Sequence, residues 1–160
     1  MIDVDERLAR LLQELYEGLL EIGVEADYLE AAQERPFPSV IVSAPPDEAG
    51  RDRMILLAFI PDAGTLEEVD LLQLYMPLPV LPQETVPRLA QVNAAAVLGH
   101  TGIMESDEVY WRHVWPLPRG MPIIPQVLFE VMSFFLFSAE LGMMTLAETD
   151  SKGAGKRRPN

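Results

Sequence analysis

The chain has 160 residues, no cysteine, and 25 acids against 12 bases, for a formal charge of −13. This length suits one domain with a core that needs no staples, and the missing cysteines exclude disulfides, a thiolate nucleophile and a cysteine zinc site. Such an acidic chain is not expected to bind a phosphate backbone directly, whereas a basic partner would be steered toward it.

Asp3 to Ile22, "DVDERLARLLQELYEGLLEI", has the pattern of an amphipathic helix. Leu8, Leu11, Leu12, Leu15, Leu19 and Ile22 recur at helical spacing, with Arg10, Glu14, Glu17 and Glu21 on the other side. Asp3 and Glu6 resemble a capping box, and Gly23 is a stop signal. "VEADYLEAAQERP" is expected to add a helical turn or two before Pro36. Residues 3–34 hold ten acids and two arginines, so this region supplies much of the negative field. Nothing in the acidic N-terminus reads as a secretory signal, and a cytoplasmic location is expected.

Strands follow. "PSVIVSA" is short and β-branched, and "MILLAFI", Met54 to Ile60, is a continuous apolar run expected to form a central strand covered on both faces. Val69 to Met76, "VDLLQLYM", reads as a third strand ended by Pro77, Pro79 and Pro82. Glu67, Glu68 and Asp70 read as solvated loop ends. Thr85 to Leu98 is expected to be a second helix, with Pro87 in its first turn and Gly99 just past its end.

"ESDEVYWRHVWPL", Glu105 to Leu117, holds both tryptophans and one of two histidines. A tip at Ser106 and Asp107 would make a β-hairpin in which His100 faces His113. Alternation places Met104, Val109, Trp111, His113 and Trp115 on one face. Two imidazoles are too few for a metal site, and no third ligand is placed by the sequence. A one-residue change in loop length would break the pairing.

Ile123 to Leu141 is a long helix, apolar around about two thirds of its circumference, wider than the stripe of about 100° that one core requires. A second apolar face is therefore expected, drawn from Leu128, Met132, Phe135, Leu136 and Phe137, as a partner or dimer interface. Gln126 and Glu130 interrupt the helix, so it is not read as a membrane span. "GMMTLAE" suits a short final strand. Residues 148–160 carry two acids and four bases and no apolar pattern, so a disordered tail is expected beyond a single domain over 1–147. Without that tail, 23 acids and eight arginines leave a body at −15.

No catalytic constellation is present. The serines lie in no nucleophile elbow, and "GAGK" at 153–156 lacks both ends of a phosphate-binding loop. No cofactor is expected.

The order α-β-β-β-α-β-β-α, with "VNAAAVLGHTGI" running into "SDEVYWRHV", resembles the YbjN family, whose fold is that of the type III secretion chaperones; Asn93 and Gly99 best fit its pattern. The resemblance implies an α+β domain with an antiparallel sheet of about five strands flanked by helices. It further implies a homodimer that binds proteins and catalyses nothing. The expected function is a non-enzymatic, chaperone-like or regulatory adaptor. Glu14, Glu17 and Glu21 would steer a basic partner, such as a nucleic-acid-binding protein, and the final helix with Trp111 and Trp115 would supply apolar contacts. The alternative is a small-molecule or metal-binding protein built on the hairpin His/Trp cluster.

Overall fold

A computed structural model describes the backbone of residues 4–61 and 67–155, and the side chains of residues 6–61 and 67–145. Its elements are α1 (Val4–Glu21), β1 (Ala26–Leu29), β2 (Ser39–Ala44), β3 (Arg53–Phe59) and β4 (Val69–Pro77), then α2 (Pro82–Thr85), a 3-10 turn (Val86–Arg88), α3 (Leu89–Ala95), β5 (His100–Ile103), β6 (Val109–Pro118) and α4 (Pro125–Gly155). The fold is α+β, with a six-stranded antiparallel sheet of order β1-β2-β3-β4-β6-β5. The chain resolves into two compact units. One comprises Met1–Met76 and His113–Met132; the other comprises Pro77–Arg112 and Ser133–Asn160.

In the first unit, α1 packs against β1, β2 and β3. Its leucines at 12, 15 and 19 are buried, and Glu14, Glu17 and Glu21 are exposed, as the helical period requires. Gly23 closes the helix in the left-handed conformation, φ 85°. Its N–H donates to Leu20 O at 3.0 Å, and Val24 N–H donates to Leu19 O at 3.0 Å, a Schellman closure. Asp3, half of the expected capping box, lies outside the described residues.

The segment expected to extend α1 is instead strand β1. Ala26 to Leu29 pairs in register with Val42 to Ser39, adding a sixth strand. Helical propensity over four residues is overridden by an available sheet edge, whose backbone groups need partners. Register then lays out the core: Val40 opposes Leu57, Leu57 opposes Leu74, and all three are fully buried. In β3 only Ile55, Leu57 and Phe59 are buried, while Met54 is exposed. The run is therefore fully buried on one face, while Leu56 and Ala58 on the other are only half-buried.

The second unit departs from expectation at the helix after β4. It breaks into α2, the 3-10 turn and α3, because the helical stretch begins at Pro82 and thereby puts Pro87 in its interior, where the missing N–H cannot continue the ladder. The hairpin also differs. Thr101 pairs with Trp111 and Ile103 with Val109, so His100 faces Arg112 and not His113. The turn holds three residues, not two, with Asp107 left-handed at φ 66°. Its N–H donates to Met104 O at 2.9 Å, and Met104 N–H donates to Glu108 O at 2.9 Å.

Helix α4 continues through Gly155. "GMMTLAE" is thus helical and not a strand, and 148–155, expected to lie in the disordered tail, is helical backbone. Residues 156–160 of that tail lie outside the described residues.

Candidate functional site

The histidine-tryptophan hairpin is a packing centre. Trp111 is buried, and its Nε1–H donates to Leu98 O at 3.0 Å, which satisfies the indole. Two glycines make room for the ring. A Cβ at Gly99 would lie 2.7 Å from Trp111 Nε1 and 2.8 Å from Arg112 O; one at Gly142 would lie 2.8 Å from Trp111 Cζ3. Gly99 is also left-handed, φ 86°, so glycine is required there twice over. Asn93 closes the same unit: its Nδ2 donates to Thr101 O at 3.1 Å, and Thr101 N–H donates to its Oδ1 at 2.8 Å. Asn93 thus ties α3 to β5. Trp115 is half-buried in the first unit.

His100 stands edge-on to Tyr110, with ring centroids 6.2 Å apart. Partial burial, and then the charge of Arg112, push its pKa below the usual histidine value. The expected His100–His113 pair is not formed. Among the described residues, no group of three or more His, Asp or Glu is placed to hold a metal ion.

The final helix does present a second apolar face, but the sequence assigned much of it wrongly. Leu128, Met132 and Phe135 are core residues, Leu136 is half-buried, and only Phe137 of the expected five is exposed. On the part of α4 that belongs to the second unit, the exposed large apolar residues among those described are Phe134, Phe137, Leu141 and Met144, between 37% and 55% accessible. Their spacing of three, four and three keeps them in one row along the helix. Phe134 and Phe137 stack within it, with centroids 6.2 Å apart and planes at 23°. Over Pro125–Thr145 the helix is long and apolar enough to cross a membrane by length and composition; one third of that stretch is buried in the protein.

A site the sequence missed lies in the first unit. Asp70, read as a solvated loop end, is 5% exposed. It falls on the same β4 face as buried Leu72, Leu74 and Met76, a placement that period-two alternation could have revealed. Arg7 grips it bidentately, with Nη1 at 2.8 Å from Oδ2 and Nη2 at 2.5 Å from Oδ1; Arg119 Nε adds a contact of 3.2 Å to Oδ1. Hydrogen bonding from Arg7 holds the carboxyl below its usual pKa against the opposing effect of burial, and Arg119 assists by charge. Beside this triad lies an open cleft of about 420 Å³, lined by Arg7, Arg10 and Glu14 of α1, by Asp70, and by the segment Leu117–Ile123. Arg119 N–H donates to Glu68 O at 2.9 Å, anchoring that segment to the start of β4.

Comparisons with protein-family models, curated proteins and solved structures return no match.

Proposed function

We propose that this protein is a cytoplasmic, non-enzymatic binding module, a chaperone-like or regulatory adaptor that acts as a homodimer and engages a basic partner protein. The observation that carries the reading is the exposed row Phe134, Phe137, Leu141 and Met144 on α4. Each such side chain yields roughly 1.5–3 kcal/mol on full burial, so four half-exposed ones hold back roughly 3–6 kcal/mol that a partner surface would release. A helix with apolar residues spaced three and four apart suits a helix-in-groove or helix-on-helix contact. The exposed Glu14, Glu17 and Glu21 add a negative face that would accelerate encounter with a basic partner, such as a nucleic-acid-binding protein. Resemblance in element order to the YbjN family and the secretion chaperones points the same way.

The test is a double variant, Phe134→Glu with Phe137→Glu. Both side chains are exposed, so the fold is expected to survive, as circular dichroism would show. In light scattering the wild-type chain is expected at dimeric mass and the variant at monomeric mass. Low-salt capture from native cytoplasm is expected to yield one stoichiometric basic protein that elutes as salt rises, with less retained by the variant. Unchanged mass and unchanged capture in the variant would remove this row from the interface and the reading with it.

A further inference from the structure

We propose that the cleft beside Asp70 binds a monoanionic carboxylate carried on an apolar body, independently of the row on α4. Residues 1–147 carry a charge of −15 and eight arginines, and three of those arginines, Arg7, Arg10 and Arg119, line this one cleft. Against them stand Asp70 and Glu14, so the lining carries +1 within a strongly negative chain. Asp70 is the anion that answers two of these cations. Arg7 and Arg119 pair with it; Arg10, exposed on α1, forms no ion pair among the described residues.

The chemistry of the lining narrows the ligand. A guanidinium offers a planar fork that matches a carboxylate edge to edge. Arg7 is already fixed by its bidentate grip on Asp70, so the positive wall is organised before any ligand arrives. The other walls, among them Leu11, Leu117, Met121 and Ile123, are apolar and suit a hydrocarbon body. A volume of about 420 Å³ lies within the range of small-ligand pockets. A local charge of +1 balances one negative charge, while the surrounding field disfavours a polyanion.

The experiment is calorimetric titration of the full chain at low salt with 3-phenylpropionate. Its amide, inorganic phosphate and the peptide acetyl-Ala-Ala-Phe with a free C-terminus complete the panel. The acid is expected to bind, with its amide and phosphate each roughly tenfold or more weaker, since a charge-assisted hydrogen bond is worth more than one factor of ten. Arg10→Gln is expected to weaken the acid by a similar factor while leaving the circular dichroism spectrum unchanged. Met121→Ser, at an exposed residue of the apolar wall, is expected to weaken it less, by roughly threefold. Peptide binding tighter than the small acid would assign the ligand to a protein C-terminus; weaker binding would assign it to a free carboxylic acid. Equal affinity for acid and amide, phosphate binding as tightly as the acid, an unaffected Arg10→Gln, or no acid binding at about 10 mM would each overturn the proposal.

Discussion

Around Trp111 the protein buries a large ring that needs one hydrogen-bond acceptor, whereas around Asp70 it buries a charge that needs cations. The first need is met by nearby residues: Leu98 O lies 13 positions away, and Gly99 sits two strand pairs from the ring it accommodates. The second is met from afar, by Arg7 and Arg119, 63 and 49 positions distant. The aromatic hairpin, which the sequence offered as a ligand site only in the alternative reading, buries Trp111 as a packing residue. The acid looked like a solvated loop end and is the anchor of a charged cleft. Conspicuous residue types therefore mark packing as readily as chemistry, and a buried charge is the more telling observation because its placement must be compensated.

The comparison predicts different responses to substitution. Trp111→Ala should cost about 3–5 kcal/mol in urea unfolding, because the void between Gly99, Gly142 and Val92 cannot collapse fully. A loss below about 1 kcal/mol would show that the ring is no anchor. Gly99→Ala should cost about 2–4 kcal/mol, combining a left-handed residue with a Cβ against a backbone carbonyl.

Asp70→Asn should cost less, about 1–2 kcal/mol, since Arg7 and Arg119 are about a third exposed and can turn to water. Its diagnostic is pH. The folded carboxyl is held below its unfolded value of about 3.9, so its contribution is complete above that pH and is lost as pH falls through the folded value. Wild type should therefore lose stability faster than Asp70→Asn on acidification below about pH 4. Parallel curves would show that the triad contributes nothing. The smallest effect belongs to His100→Gln, a surface change expected within about 0.5 kcal/mol at pH 7. The imidazole's pKa is lowered in the fold, so acidification through the histidine range favours the unfolded chain slightly, and the variant should lack that slope.

Much of the fold was legible from sequence. The leucine spacing of α1, the stop at Gly23 and the alternation in β4 are signals carried within a few residues, and the structure follows them. β1 was not legible, because a strand of four residues exists only where an edge of β2 accepts it. Among the interface residues expected on α4, Phe137 is exposed while Leu128, Met132 and Phe135 are core. The helical wheel shows that two apolar faces exist but carries no information about which one turns inward.

By itself the sequence determined the local periodicities, the α+β composition, the acidic outer face of α1 and the excess of apolar surface on the last helix. Each depends on spacing between neighbours in the chain, where geometry is set by 3.6 or two residues per repeat. Tertiary structure alone decided the hairpin register, the inward face of α4 and the fate of Asp70. One extra residue in a turn moves every cross-strand partner, and the cost of burying a carboxylate is set by cations that arrive from distant segments.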